Sequence, residues 1–163
     1  MNKQDITILG ISPGTQYYGI AILRNGRLKD RRVKNFMEGW SQHKLNAIEN
    51  AITDLIIKYD VTAIALKSIP ASKNTEGNTR VIHAIKELAD QHTIKLYFYA
   101  LEELQRYYSM EKKVTKEILK SGVLEDYPEM IFEHTRELQR GNPYYIKVFE
   151  AIAAATLCSH EMK

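Results

Sequence analysis

The stretch Asp5–Leu23, D-I-T-I-L-G-I-S-P-G-T-Q-Y-Y-G-I-A-I-L, constrains the fold more than any other part of the chain. Two apolar runs, one on each side of Pro13-Gly14, are rich in β-branched residues, which favour strands. Because proline fixes φ and glycine accepts positive φ, this dipeptide is typical of a tight turn. The segment therefore predicts a hairpin with a buried first strand, and it places Ser12 at the end of that strand.

Hydrophobic periodicity predicts alternating strands and helices along the rest of the chain. A third strand over 28–36 should follow the Asn25-Gly26 turn, and apolar residues at three- and four-residue steps predict a helix over 41–59. The nearly continuous apolar run 61–69 is typical of a central strand covered on both faces. Further predicted elements are a helix from Asn78 or Thr79 to His92, a strand over 93–100, and a last, buried helix capped by Asn142 with Pro143 at its first position.

Length and composition place these elements in one domain. With 163 residues, 44% hydrophobic and 26% charged, the chain has ordinary globular values, and we expect residues 1–163 to form a single domain. No apolar run approaches the ~18 residues of a membrane span, and the N-terminus lacks a signal-peptide pattern, so we expect a cytoplasmic protein without a membrane partner. The net charge of +3 allows a nucleic-acid partner without demanding one.

Three segments together resemble one known family. The motif G-I-S-P-G-T at 10–15 resembles the opening motif G-I-D-P-G-(S/T) of the RuvC-type Holliday-junction resolvases, within the ribonuclease H-like superfamily. The runs A-I-A-L-K-S-I at 63–69 and F-E-A-I-A-A-A-T-L-C-S-H at 149–160 resemble the family's fourth strand and last helix. The resemblance implies an α/β, ribonuclease H-like fold, in which helices flank a five-stranded mixed sheet made of a three-strand antiparallel meander and two parallel strands.

Members of this family cleave phosphodiester bonds with two magnesium ions, and the resemblance assigns their four carboxylate ligands to four positions of this chain. Those positions hold Ser12, Lys67, Lys147 and Glu150, so only one is a carboxylate. A metal pair ~4 Å apart needs several carboxylates, and two ammonium groups would repel it. We therefore expect no metal or other cofactor, and instead a salt-bridged cluster of the two lysines and the glutamate with the serine hydrogen-bonded nearby.

These substitutions leave more than one interpretation of function. The leading one is a RuvC-like pseudo-enzyme that binds nucleic acid or a protein and lacks two-metal nuclease activity. The alternative is a magnesium-dependent, structure-specific nuclease of the crossover-junction endodeoxyribonuclease type, with a rearranged acidic site of Glu102, Glu103 and Glu150. A third is a small-molecule phosphate-binding enzyme built on the Pro13-Gly14 turn.

Basic residues supply two candidate surfaces for nucleic acid, one on the predicted third strand and one on a helix around residue 118. Charge that prevents edge-to-edge strand pairing, or an ordinary solvated helix face, accounts for the same residues without any nucleic acid. The partner stays open between branched or duplex DNA, RNA and a protein, and the resemblance also allows a homodimer. The candidate nucleic-acid contacts are Arg27, Lys29, Arg31, Arg32, Lys34, Lys113, Lys116 and Lys120.

Overall fold

The computed structural model describes residues 4–14, 16–36, 39–109, 115–140 and 144–162. In this part of the chain, five strands form one mixed sheet. They are β1 (Thr7–Ser12), β2 (Tyr17–Arg24), β3 (Arg27–Asn35), β4 (Ala63–Lys67) and β5 (Lys95–Tyr99). Their order across the sheet is β3-β2-β1-β4-β5, in which β1, β2 and β3 are antiparallel and β4 runs parallel to both β1 and β5. The predicted meander followed by two parallel strands is therefore confirmed.

Six α-helices flank this sheet within the described ranges, so the predicted α/β fold class is confirmed as well. They are α1 (Gln42–Tyr59), α2 (Glu76–Gln91), α3 (Leu101–Tyr108), α4 (Lys116–Asp126), α5 (Ile131–Arg140) and α6 (Ile146–Glu161), with short 3₁₀ helices at Ala71–Lys73 and Pro128–Met130. Among the described residues, none of these helices combines the length and the apolar character needed to cross a bilayer.

The sheet separates two apolar cores. Side chains of the central strands β1 and β4 alternate between them, since successive residues of a strand point to opposite faces. Leu9 and Ile64 lie in the core formed with α1 and α2, whereas Ile8 and Ala65 lie in the core formed with α6. Because both faces are covered, these two strands are apolar almost throughout, as their sequences predicted.

Helix α6 lies directly on the sheet because glycines remove the side chains that would hold it away. A Cβ atom at Gly10 would stand 2.1 Å from the carbonyl oxygen of Ala151, and one at Gly19 would stand 1.9 Å from that of Lys147. Real Cβ atoms do not approach carbonyl oxygens this closely, so each position requires glycine at the present helix distance. The contact holds the first turn of α6 beside the end of β1.

The predicted start of the second helix is wrong, whereas that of the first is right. Ser41 caps α1, and its side chain accepts a hydrogen bond from the Lys44 amide. Helix α2 starts before the predicted caps Asn78 and Thr79, because the Thr75 side chain accepts a hydrogen bond from the Asn78 amide at 3.1 Å. A threonine hydroxyl caps a helix as asparagine does, so the polar loop offered several equivalent starts.

The last helix is buried as predicted, but it starts later. Its first residue is Ile146, with Tyr145 at the cap position. The predicted cap Asn142 and the predicted first residue Pro143 lie outside the described residues, and the predicted start at the proline is wrong. Every residue from Val148 to Thr156 is buried, because this part of α6 packs on the sheet with α3 and α4 beside it.

Candidate functional site

The four positions that the family resemblance assigned come together at one end of the sheet. Ser12 is the last residue of β1 and Lys67 is the last residue of β4, and both point to the face that α6 covers. Lys147 and Glu150 are three residues apart on α6, a spacing that puts two side chains on the same face of a helix. The parallel strands and the helix therefore bring residues from three distant segments into contact.

Glu150 is the centre of this group, which we call the Glu150 cluster. One of its oxygens, Oε1, accepts a hydrogen bond from Ser12 Oγ at 2.8 Å and lies 3.3 Å from Lys67 Nζ and 3.7 Å from Lys147 Nζ. Ser12 is fully buried, and Glu150 and Lys67 expose 6% and 7% of their surface. A buried charge is costly unless it is paired, and here each charged group of the cluster has an opposite charge beside it.

Positive charge is nevertheless in excess in the Glu150 cluster, since two ammonium groups share one carboxylate. Burial lowers the pKa of Lys147 below its usual range, and the neighbouring Lys67 and Lys73 ammonium groups add to that shift, while Glu150 opposes it. The lysine is thus less easily protonated than in water, which is the response expected where positive charges crowd together.

The residues of this cluster do not fit a pair of magnesium ions. Magnesium takes oxygen ligands, usually carboxylates and water. Glu150 supplies the one carboxylate among the four positions, and its Oε1 already has three donors around it. A divalent cation there would also face the ammonium groups of Lys67 and Lys147, so Coulomb repulsion opposes its binding. The donor set therefore disagrees with the metal pair that the fold family implies.

The alternative acidic site is not assembled in the described residues. Glu102 and Glu103 lie exposed in the first turn of α3. The side chain of Glu103 accepts a hydrogen bond from the Ala100 amide at 3.1 Å, which explains its position as a helix-capping contact. Within the described ranges, no three His, Cys, Asp or Glu side chains form a group that could hold a metal ion. The structure therefore does not bring these two glutamates and Glu150 into one metal site.

A cleft of about 380 Å³ opens beside the Glu150 cluster, and we call it the lysine cleft. Three ammonium side chains line it: Lys67 from the end of β4, Lys73 from the 3₁₀ turn that follows, and Lys147 from α6. Its described lining contains no aspartate or glutamate. Sequence reasoning missed Lys73, because it lies in a polar loop without periodicity. Topology could have indicated its position, because Lys73 follows the parallel strand β4, and loops that follow parallel strands lie together at the carboxyl edge of a sheet.

The basic residues of β3 do not share one face of the sheet. Arg31 forms an ion pair with Glu133 of α5, on the α6 side. Arg32 forms an ion pair with Asp30, whose carboxylate also accepts a hydrogen bond from the hydroxyl of Tyr59 of α1 at 2.7 Å. Both arginines therefore already have acidic partners, on opposite sides of the sheet.

The other candidate nucleic-acid contacts on β3 lie at different distances from the Glu150 cluster. Arg27 and Lys29 are exposed, whereas Lys34 is half-buried. Arg27 pairs in register with Arg24, at the end of the sheet away from the Glu150 cluster, and Lys34 pairs with Tyr18, close to the cluster's end. Among these three residues, Lys34 is thus the one at the same end of the sheet as the lysine cleft, on the face where Tyr18 packs with α1 and α2.

The helix lysines have structural partners. Lys120 is fully buried, forms an ion pair with buried Glu137, and lies 3.0 Å from Glu117. The prediction that it lies on a solvated face is wrong, because the acidic partner on α5 compensates the cost of burying its charge. Lys116 is half-exposed and lies 3.2 Å from Glu137. The third candidate, Lys113, lies outside the described residues.

No protein-family model matches the sequence, and no curated protein matches it. Among solved structures, the chain is similar to Thermus thermophilus RuvC, with a TM-score of 0.74, 14% identity and 96% of both chains covered. It is similar to Thermus thermophilus RuvC in complex with Holliday junction substrate, with a TM-score of 0.70 and 15% identity over 96% of this chain and 95% of that one. It is also similar to Fowlpox virus resolvase with substrate Holliday junction DNA, with a TM-score of 0.58 and 11% identity over 96% and 99% of the two chains.

At sequence identities of 11–15%, the similarity to these structures shows the fold of the chain. The chain has the ribonuclease H-like fold, in the strand and helix arrangement of the RuvC-type Holliday-junction resolvases. The resemblance inferred from the opening motif, the fourth strand and the last helix is therefore confirmed at the level of fold.

Proposed function

We propose that this chain is a RuvC-like nucleic-acid-binding module that does not cleave its partner by a two-metal mechanism. The observation that carries this proposal is the Glu150 cluster. A serine and two lysines occupy three of the four positions at which the fold family holds carboxylates, and the remaining carboxylate is neutralised by the two lysines. An ion pair and a hydrogen bond thus replace metal-mediated contact between the sheet and α6.

Branched DNA is the partner we propose. Two of the similar structures contain Holliday junctions, and they share the fold over almost the whole of this chain. The carboxyl end of the sheet is cationic in this protein, since Lys67, Lys73 and Lys147 line one cleft there. Positive charge in a concave surface favours the phosphate backbone and supplies most of the affinity in sequence-independent binding.

A junction-binding assay combined with a cleavage assay tests this proposal. A labelled four-way junction and a duplex of the same arm sequence are each mixed with the full chain, first in EDTA and then in magnesium or manganese. We expect the junction to be bound in EDTA and left intact in either metal. Metal-dependent cleavage that Glu150→Gln abolishes would instead establish the nuclease interpretation. Failure to bind junction, duplex and single-stranded DNA would contradict the proposal and favour a protein partner.

The homodimer and the cytoplasmic location expected from the sequence stay predictions. Analytical ultracentrifugation of the full chain, with and without a four-way junction, tests the homodimer directly. A sedimentation coefficient that corresponds to one chain at all concentrations would contradict it.

A further inference from the structure

The lysine cleft contains more positive charge than the protein compensates. Lys67, Lys73 and Lys147 bring three ammonium groups to its lining, and Glu150 brings one carboxylate beside it. That carboxylate is shared between Lys67 and Lys147, and Lys73 has no acidic partner within the described ranges. The cleft therefore lacks the negative charge that would balance it.

Burial makes this excess charge costly. The side chain of Lys67 is 9% exposed and that of Lys147 is 19% exposed, so water screens them poorly. Charges of the same sign repel more strongly where water is excluded. The lowered pKa of Lys147, caused first by burial and then by the nearby ammonium groups of Lys67 and Lys73, is consistent with that repulsion. An anion in the cleft would relieve it.

The cleft also has the size and the neutral donors that a phosphodiester requires. Its volume of about 380 Å³ admits a phosphate group together with part of the adjoining sugar. Gln16 and Tyr17 line it, and their amide and hydroxyl groups are hydrogen-bond donors for phosphate oxygens. Ammonium groups bind phosphate as point charges and need no fixed bidentate geometry, so three lysines on separate segments suffice.

We propose that the lysine cleft binds one phosphate group of a nucleic-acid backbone, with Lys73 and Lys147 contacting its oxygens and Lys67 adding charge from its buried position. The lysines then neutralise a phosphate at the end of the sheet where the family resemblance places the metal pair. They hold the phosphate without a metal that could activate water. The source of the phosphate rests on the proposed function, whereas the phosphate site itself rests on the cleft.

The first experiment titrates inorganic phosphate into the isotopically labelled full chain in EDTA and follows amide shifts by NMR. We expect shifts concentrated at the cleft, at Gly14, Asn78 and Lys147. The double variant Lys73→Gln with Lys147→Gln should lose at least about tenfold in phosphate affinity, because two of three charge contacts are lost. Lys95→Gln is the matched control, since Lys95 is exposed at the opposite end of the sheet from Lys67. Absent shifts, or shifts that the control lowers equally, would overturn the phosphate site.

The second experiment measures four-way junction binding by the same proteins, and it separates a backbone phosphate from a free one. We expect the double variant to lose about tenfold in junction affinity, the control to bind as wild type does, and inorganic phosphate to compete with the junction. If the cleft binds phosphate but the variants bind junction normally, the ligand is a free phosphate compound and this inference fails while the proposed function stands. If wild type binds no nucleic acid, the proposed function fails. The phosphate titration then still shows whether the cleft binds phosphate.

We expect the variants to retain the wild-type fold. Lys73 is exposed, and in the Lys147→Gln variant Glu150 keeps Ser12 and Lys67 as partners. Circular dichroism and urea unfolding of each variant verify this before binding is measured. A double variant that unfolds at the wild-type urea concentration and binds phosphate and junction as wild type does would overturn the inference.

Discussion

Ser12 Oγ donates a 2.8 Å hydrogen bond to Glu150 Oε1, joining two residues 138 positions apart in the sequence. The bond connects the end of β1 to the second turn of α6. Lys67 adds an ion pair from the end of β4 to the same oxygen at 3.3 Å. Three segments of the fold therefore meet on one carboxylate, at the end of the sheet where the family resemblance assigns a metal pair.

Removal of that carboxylate should destabilise the protein strongly. Glu150→Ala leaves the buried Lys67 and the partly buried Lys147 without a negative partner, and breaking a buried pair costs about 3–5 kcal/mol. Glu102→Ala is the matched control, since Glu102 is exposed and its loss should cost less than about 1 kcal/mol. Urea unfolding of both variants measures the difference. Equal stability of Glu150→Ala and wild type would remove the ion-pair account.

The second buried ion pair, Lys120 with Glu137, should make stability depend on acid pH. Burial alone would raise the pKa of Glu137, but hydrogen bonds from Lys120 and Lys116 outweigh it, so the pKa lies below the ordinary value of 4.5. A carboxyl whose pKa is lower in the folded state stabilises the fold above that ordinary value, and the contribution is lost as pH falls through the folded pKa. The free energy of unfolding of wild type should therefore fall towards that of Glu137→Gln below about pH 4.5. A constant difference between the two proteins across this range would contradict the prediction.

Close packing of α6 on the sheet should make Gly19 intolerant of a methyl group. A Cβ atom there would lie 1.9 Å from the Lys147 carbonyl oxygen, so Gly19→Ala must push the first turn of α6 away from β2. Overpacking of this kind costs about 1–3 kcal/mol and can cost more where backbone is displaced. Gly39→Ala is the control, because nothing lies within 4 Å of its added Cβ. Thermal unfolding of the two variants should separate them, and similar Tm values would show that the helix adapts.

Sequence patterns predicted the five strands, because a strand depends on local periodicity, and the family resemblance predicted the positions of the Glu150 cluster. The apolar run 61–69, which Lys67 interrupts, and the three-residue spacing of Lys147 and Glu150 are both visible along the chain. The burial and ion pairing of the other basic residues could not be predicted, since both depend on partners far away in sequence. Lys120 is buried because Glu137 on another helix faces it, and no periodicity within α4 encodes that contact.

Salt should weaken junction binding steeply, and Lys34 should contribute more to it than Arg27. Lys34 pairs with Tyr18 at the same end of the sheet as the lysine cleft, whereas Arg27 lies at the far end of the same strand. Each lost phosphate contact lowers the slope of log affinity against log salt by about 1. Lys34→Gln should therefore lower the slope, and Arg27→Gln should leave it unchanged. Equal slopes for wild type and both variants would exclude β3 from the binding surface.

Reversal of charge at Arg31 and Arg32 is a poorer test of the same surface. Each arginine forms a partly exposed ion pair, with Glu133 and Asp30 respectively, so the substitution would place like charges beside each other. We expect Arg31→Glu to lower the free energy of unfolding as well as any binding. Urea unfolding measures that loss, and an Arg31→Glu protein as stable as wild type would show that the pair contributes nothing.

Thermal unfolding with and without magnesium tests whether the ion-paired Glu150 cluster stands in place of a metal pair. Wild type should have the same Tm in millimolar magnesium and in EDTA. The triple variant Ser12→Asp, Lys67→Glu and Lys147→Asp restores four carboxylates with Glu150 and should gain stability from magnesium, by about 2.7 kcal/mol at a hundredfold excess over Kd. A wild-type Tm that rises with magnesium, and no longer rises in Glu150→Gln, would show instead that the cluster binds the metal.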